Sequence, residues 1–486
     1  MPPVLTSSIP ERKAVETGPG PHLQRLEVDD VDADFVGRHI LIVGLGKTGL
    51  ALARFFSARG ARVTVSDRAP ETLLASQSRQ LREMGVSLET GGHRRQSFCR
   101  ANLVVLSPGV PHDLPVLAAA RHSGAVVTGE IEVAAGFIRE PVVAVTGTNG
   151  KTTTVTLIGE MLKASGKIPW VGGNIGRPLI DYVQGRSRRE RLVVELSSFQ
   201  LDTIDKFRPQ VAVLLNVSAD HLDRYANLAA YIASKARIFE NQTAADTAVV
   251  NAGDPQAMLA ASKGRARLLS FLQAPPGELP TAQGATISKQ ALTVRMDETG
   301  GEVRIDLSNI RLRGAHNREN IAAAVLAALA GGASLDGIQS ALADFTGLSH
   351  RLQSAGWIDG VEYVNDSKAT NVDAVLRALE AFRRPVVLIM GGRSKGDDFS
   401  ILRGPLTQRA RALIVMGEAA DRIMQCLKGI VDTHRVEDMG AAITLARRLA
   451  CPGDVALLAP GCSSFDAYRD YGQRGQDFLQ KVAELR

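Results

Sequence analysis

PVVAVTGTNGKTTT, residues 141 to 154, decides the fold. Val142, Val143 and Val145 form the β-branched run of a buried strand, Gly147 and Gly150 allow a tight turn, and Lys151, Thr152 and Thr153 open a helix. Such a strand-loop-helix is a phosphate cradle: backbone N–H groups and the positive end of a helix dipole face an anion, and the lysine adds a mobile charge. A hydroxyl from Thr152 or Thr153 can then ligate the Mg²⁺ that accompanies a nucleoside triphosphate. The loop is short, because Gly147 precedes Lys151 by four positions where the usual P-loop has six, and Val145 stands in place of the first glycine. Residues 147 to 153 (Gly147, Thr148, Asn149, Gly150, Lys151, Thr152, Thr153) are the expected nucleotide-phosphate loop.

Upstream, HILIVG (39–44), the glycine turn GLGKTG (44–49), a helical stretch to Gly60 and ARVTVSD (61–67) make a βαβ unit. Gly44, Gly46 and Gly49 satisfy G-x-G-x-x-G, and Asp67 lies where an acidic residue meets a ribose. Alone, this pattern suits either a dinucleotide site or close helix–strand packing. Strand-like runs at LVVLSPGV (103–110) and AVVTG (125–129) complete a compact α/β domain.

Downstream, RLVVELS (191–197) and VAVLLNVS (211–218) read as further buried strands. Their ends carry Glu195, Ser197, Ser198 and Gln200, then Asn216, Ser218, Asp220, His221, Asp223 and Arg224. Ligands bind beyond the carboxyl ends of strands in a doubly wound sheet, so these groups are expected to converge on the Lys151 loop, with Glu195 as a Mg²⁺ partner. NLAAYIASKARIFEN (227–241) is helical, and by pattern alone its Lys235 is an ordinary solvated lysine. ALTVRM and VRIDLS (291–296, 303–308) suggest a small antiparallel addition. In the helix of GAHNRENIAAAVLAALAGG (314–332), His316, Asn317 and Asn320 either cap the start or face a ligand.

A third parallel-sheet region follows at GVEYVNDSKATN, PVVLIMGG, ALIVMG and DVALLAPG, whose strand ends offer Asp366, Ser367, Lys368, Thr370, Arg393, Lys395, Ser463, Ser464 and Asp466. The expected organisation is a flexible extension at 1–37 and three α/β domains at 38–129, 130–347 and 348–486. The first and third are Rossmann-like, and the middle one is a P-loop-type domain with a mainly parallel sheet. Composition agrees: 45% of the 486 residues are hydrophobic, enough for several cores. The net charge of +6 comes from dispersed basic residues, which suits anionic small substrates and calls for no nucleic acid. Four cysteines without a C-x-x-C pair argue against a zinc site or disulfide framework and for a reducing cytoplasm. No apolar run approaches the length of a membrane span.

Taken together, GTNGKTT (147–153), ELSSFQL (195–201), NVSADHLDRY (216–225), YIASKARIFEN (231–241) and HNRENIAAA (316–324) resemble the Mur ligase family. GLSHR (347–351), NDSKATN (365–371), GGRSKGDDFS (391–400) and APGCSSFDAYRDYGQRG (459–475) resemble its D-glutamate-adding branch, and the likeness runs from residue 38 to the end. The resemblance implies a cytoplasmic ligase of peptidoglycan precursor synthesis, acting as a monomer on ATP, D-glutamate and UDP-N-acetylmuramoyl-L-alanine. It makes Lys151, Glu195, His221 and Lys235 catalytic. It also implies two Mg²⁺ ions held by Thr152, Glu195 and His221, with Lys235 carbamylated by CO₂ as a further anionic support. Asn317, Asn320, Arg351 and Asp366 would join the phosphate loop around ATP. His350, Arg351, Lys368, Thr370, Lys395, Ser464 and Tyr471 would hold D-glutamate, Tyr471 standing where the family has a phenylalanine. Gly46, Lys47, Thr48, Asp67, Arg68, Ser107, Asn174, Ser197 and His221 would hold the UDP-sugar. Three alternatives stand beside it: a relative with another amino-acid substrate, an NAD-dependent oxidoreductase, and a nucleotide-gated binding protein.

Overall fold

The computed structural model describes residues 35–185, 189–221, 224–275, 278, 281–296, 301–308, 310 and 312–485. Most of the expected extension and Asp223 lie outside these residues. Phe35, at the boundary between the expected extension and the first domain, is buried, with its ring 5.0 Å from Phe56 and 6.3 Å from Phe55 and Phe137. The packed first unit therefore begins before residue 38.

That unit is a five-stranded parallel sheet of β1 (His39–Val43), β2 (Arg62–Ser66), β3 (Ser87–Glu89), β4 (Leu103–Leu106) and β5 (Val126–Gly129), ordered β3-β2-β1-β4-β5. Strand order reverses between β1 and β4, which opens a crevice beyond Val43 and Leu106, where the glycine turn lies. A helix, Glu130–Ala135, leads directly out of β5 towards the second unit.

The second sheet contains β6 (Val142–Thr146), β7 (Pro169–Gly173), β8 (Arg191–Glu195), β9 (Val211–Leu214), β10 (Thr247–Asn251), β11 (Arg267–Leu272), β12 (Gly284–Ile287), β13 (Ala291–Arg295) and β14 (Glu302–Asp306). Its order is β14-β13-β12-β11-β10-β9-β6-β8-β7, parallel except for the antiparallel β12-β13-β14 tail. β6 lies between β8 and β9 and is buried along its whole length, as an uninterrupted apolar run requires when both faces are covered. Helices Lys151–Ala164 and Ala315–Ala330 cover one face, their Leu157, Ile158, Ile321 and Val325 packed against Val143 and Val145. The other face shares a single core with the first unit, running from Phe55 and Phe56 through Ile131 and Ile180 to Leu192 and Val194.

The third sheet, β15 (Gln353–Ile358), β16 (Val361–Asn365), β17 (Val386–Gly391), β18 (Ala410–Met416), β19 (Thr433–Arg435) and β20 (Val455–Leu458), is ordered β15-β16-β20-β17-β18-β19, with only β15 antiparallel. Its two cores contain no residue from the other units. Gly347, His350 and Leu352 have φ of 99°, 63° and 43° in the segment that leads into it. Residues other than glycine hold such angles at a cost of about 1–3 kcal/mol each.

Candidate active site

The neighbouring strands β6 and β8 deliver the phosphate loop and Glu195 to the same edge. Thr152, in the first turn of the helix, donates its hydroxyl to Glu195 Oε2 at 2.8 Å, and the Asn174 amide donates to Oε1 at 2.8 Å. The first N–H groups of that helix have no acceptor within it. Gly150 holds φ 89°, and a Cβ there would lie 2.2 Å from Asn320 Oδ1. The glycine thus permits both the turn and the close approach of the helix Ala315–Ala330.

Lys151 folds back, its ammonium donating to the carbonyls of Gly147 at 2.7 Å and Thr148 at 2.9 Å. Lys235, only 1% exposed on the helix Leu228–Ala236, donates to the same Gly147 carbonyl at 2.9 Å and sits 4.5 Å over the Tyr231 ring. Burial, then the charge of Lys151, drives the Lys235 amine well below its usual range. Burial also lowers Lys151, against the pull of Glu195 and Asp220.

Beyond β9, Asn216 accepts from the Asn149 N–H at 2.9 Å and locks the loop from beneath. His221 takes φ 57°, with its ring edge-on to Phe199 at 4.9 Å and its Nε2 3.8 Å from Asp220. Burial pushes the Asp220 carboxyl up, but Lys395, His221, Asn371 and Lys151 together hold it below the usual carboxylate range. Asn371 and Lys395 come from the third unit and reach Asp220 at 3.0 and 3.5 Å. Asp373, from the same helix start as Asn371, accepts from the Asn149 side chain at 2.7 Å.

A cavity of about 70 Å³ beside the loop is lined by Asn149, Gly150, Thr153, Asn317, Asn320, Arg351, Asp366 and Lys368, which brings together most of the expected ATP residues with two D-glutamate candidates, Lys368 and Arg351, the latter expected in both sets. Burial raises the Asp366 carboxyl to about 7 against the charge of Arg351, and lowers Lys368 to about 8, with Arg351 adding to the effect. His316 and Arg377 also line this cavity, the first left open in sequence and the second missed. Burial holds His316 neutral, at about 4.

The other D-glutamate candidates are more scattered. Tyr471 lies under Lys368, whose ammonium is 4.0 Å from its ring, while Ser464 is buried. The Thr370 N–H donates to the Lys368 carbonyl at 2.8 Å. His350 Nδ1 is 2.9 Å from the Asn365 amide nitrogen, which can only donate; Nδ1 accepts, and in the neutral ring the proton is on Nε2.

A larger cavity of about 530 Å³ opens at the β1–β4 crevice and is lined by Gly46, Lys47, Thr48, Asp67, Arg68, Ser107 and Asn174. Asp67 uses both oxygens to anchor the glycine turn, accepting from the N–H groups of Leu45 at 2.7 Å and Ala69 at 2.8 Å. Ser107 donates to the Gly44 carbonyl at 3.0 Å. Ser197 and His221, placed in this set by sequence, are not in its wall: Ser197 caps the short helix Ser198–Leu201. His93 is in the wall, its Nδ1 2.9 Å from the Ser66 hydroxyl, and it went unmarked in the sequence because an isolated histidine carries no pattern.

Chemically, the loop can hold a triphosphate while cations from two units converge on it. The Thr152 hydroxyl and the Glu195 carboxylate are hard oxygen donors that fit Mg²⁺. No group of three or more His, Cys, Asp and Glu side chains suited to a metal occurs among the described residues. Phosphate oxygens and water would therefore have to complete the coordination, as is usual for this ion.

This fold and site define a class: the chain belongs to the Mur ligase family. It matches the Mur ligase MurD-like N-terminal domain over residues 38–129, the Mur ligase middle domain over 145–328, and the Mur ligase glutamate ligase domain over 350–462. Among its relatives is the UDP-N-acetylmuramoylalanine--D-glutamate ligase of Desulfosudis oleivorans, 49% identical over 450 residues, covering 92% of this chain and 97% of the relative. The protein of the same name from Desulfatibacillum aliphaticivorans is 48% identical over 455 residues, covering 93% and 99%. In fold, the chain is similar to a pseudomurein peptide ligase type C from Methanothermus fervidus, with a TM-score of 0.59, 20% identity and 93% and 100% coverage. It is also similar to the MurF ligase of Thermotoga maritima in complex with ADP, with a TM-score of 0.57, 17% identity and 93% and 96% coverage.

Proposed function

We infer that this protein is an ATP-dependent ligase that joins D-glutamate to UDP-N-acetylmuramoyl-L-alanine, a step of peptidoglycan precursor synthesis. The observation that carries the chemistry is the meeting of Lys151, Glu195 and Lys235 at the phosphate loop with Asn371, Asp373 and Lys395 of the third unit. The 530 Å³ cavity takes the UDP-sugar, with Lys47 and Arg68 available to the diphosphate. The smaller cavity takes part of ATP.

The substrate carboxylate attacks the γ-phosphorus and ADP leaves, giving an acyl phosphate. The amine of D-glutamate then attacks the acyl carbon, loses a proton, and the tetrahedral adduct collapses to an amide and inorganic phosphate. Both partners of the first step are anions. Lys151 therefore turns from its two carbonyls to the phosphates, and Lys395 and Arg351 offset charge where the groups meet. Mg²⁺ held by Thr152 and Glu195 would supply further charge neutralisation, with His221 serving a second ion.

Lys235 completes the site as a carbamate. Burial and the charge of Lys151 favour its neutral amine, which attacks the carbon of CO₂ and releases one proton, so that a neutral amine becomes an anion that would support Mg²⁺. D-glutamate binds at Lys368, whose ammonium lies 4.0 Å from the Tyr471 ring, with the buried Ser464 as a further donor. The reading carries with it a monomer acting in the cytoplasm, as the family resemblance implies; no helix among the described residues is long and apolar enough to cross a membrane.

The test is phosphate release from ATP with UDP-N-acetylmuramoyl-L-alanine and single amino acids. D-glutamate should be the amino acid that drives it. Release with another amino acid and none with D-glutamate would overturn the assignment.

A further inference from the structure

The helix Leu179–Gln184 begins after Pro178, which has no polar side chain to cap it. Its first N–H groups are met from the linking helix Glu130–Ala135. Glu130, 2% exposed at the start of the helix Glu130–Ala135, accepts from the Ile180 N–H through Oε1 at 2.7 Å, while its buried Oε2 has no hydrogen bond of good geometry and the Leu179 N–H adds only weaker support to the carboxyl. A buried carboxylate with one oxygen unsatisfied is a costly way to cap a helix, and a polar residue at 178 would serve more cheaply.

What Glu130 does secure is position. The segment just before this helix, Gly173 to Pro178, turns through Gly173 and Gly176 at φ 103° and 63° and is closed by the Gly173 N–H donating to the Arg177 carbonyl at 2.8 Å, so its placement as a loop is set at its two ends. Gly173, Asn174, Gly176 and Pro178 line the 530 Å³ cavity, and the Asn174 side chain also holds Glu195. At its near end the segment is tied to β8 by the Asn174 N–H, which donates to the Glu195 carbonyl at 2.8 Å. At its far end the tie is Glu130.

We propose that Glu130 is a positioning residue for the ligase reaction: by fixing the start of the helix Leu179–Gln184 it sets both the wall of the nucleotide-sugar cavity and the orientation of Glu195. This rests on the function inferred above. Glu132, on the same helix as Glu130, provides an internal comparison. Its carboxylate accepts from the N–H groups of Asp205, Lys206 and Phe207 at 2.8, 2.8 and 3.0 Å, so it ties the same linking helix to the second unit without touching the Gly173–Pro178 segment.

The experiment measures steady-state constants of the full chain for E130A, E130Q and E132A. E130A should raise the KM for UDP-N-acetylmuramoyl-L-alanine roughly tenfold or more and lower kcat, because a small displacement at a reacting centre is costly. The KM for D-glutamate should stay at the wild-type value. E130Q, which keeps an acceptor for Ile180, should restore most of the loss, and E132A should leave the ratio of the two KM values unchanged. A wild-type nucleotide-sugar KM in folded E130A, or an equal shift in E132A, overturns the proposal. If E130A does not fold, E130D carries the same expectation, since it withdraws the carboxylate by one methylene.

A wild-type protein inactive on these substrates would overturn the inferred function instead. The positioning would then be read from amide hydrogen exchange, which E130A should accelerate across 173–180 and E132A should not. Equal exchange in the two variants would sink it.

Discussion

Two lysines donate to one carbonyl at Gly147, and only one of them is where sequence patterns would look for it. Lys151 is legible because glycines and threonines frame it. Lys235 is not, because a lysine among small residues on a helix is ordinarily solvated, and its burial follows from how that helix packs beneath the phosphate loop. Family resemblance alone singled it out. His93 and Arg377 were missed for the same reason: each reaches a cavity by folding, not by local pattern. If Lys235 works as a carbamate, K235A should lose activity by orders of magnitude, and short carboxylates such as formate or acetate should restore part of it. Phosphate-release assays with and without these anions make the comparison, and a folded K235A indifferent to them would remove the support for a carbamate.

At the level of elements, the strands that bring the site together are the ones most easily read. β6, β8 and β9 are almost entirely buried and apolar, since both faces of a central parallel strand are covered. The antiparallel tail at β13 and β14 was also readable from alternation. β3 and β19 have three residues each, and β7 contains a proline and two glycines, so their places at sheet edges come from pairing more than from side-chain preference. The turn between β6 and its helix depends on Gly150, whose φ of 89° and closeness to Asn320 leave no room for a side chain. G150A should therefore weaken ADP binding by about tenfold or more, given strain of about 1–3 kcal/mol and a displaced Asn320. Calorimetric titration measures this, and unchanged affinity would mean that the loop tolerates the shift.

Across the whole molecule the joints are unlike. The first two units share one hydrophobic core and are further joined by Glu130 and Glu132. The third unit has cores of its own and meets the others through polar contacts such as Asn149–Asp373, Lys395–Asp220 and Arg313–Glu362. Three domains could be read from the alternation of strands and helices; that two of them are fused could not, because the fusing residues are apolar ones with no address in sequence. Burial raises Glu130 from 4.5 to about 7, with Asp181 adding to the effect and the backbone N–H groups of Ile180 and Leu179 opposing it. The native protein therefore keeps this proton when the unfolded chain has lost it. The stabilisation is complete below pH 4.5 and is lost as pH rises through about 7, a change of about 3 kcal/mol. Urea unfolding at about pH 5 and about pH 8 should show a larger loss in wild type than in E130Q, which keeps only the similar contribution of the buried Asp366; equal losses in the two would assign the pH dependence elsewhere. The separate cores of the third unit have a different consequence. A body that packs its own cores can drift in sequence without disturbing the core the other two share, provided it keeps the few residues it lends to the phosphate loop and to Asp220: Asn371, Asp373 and Lys395.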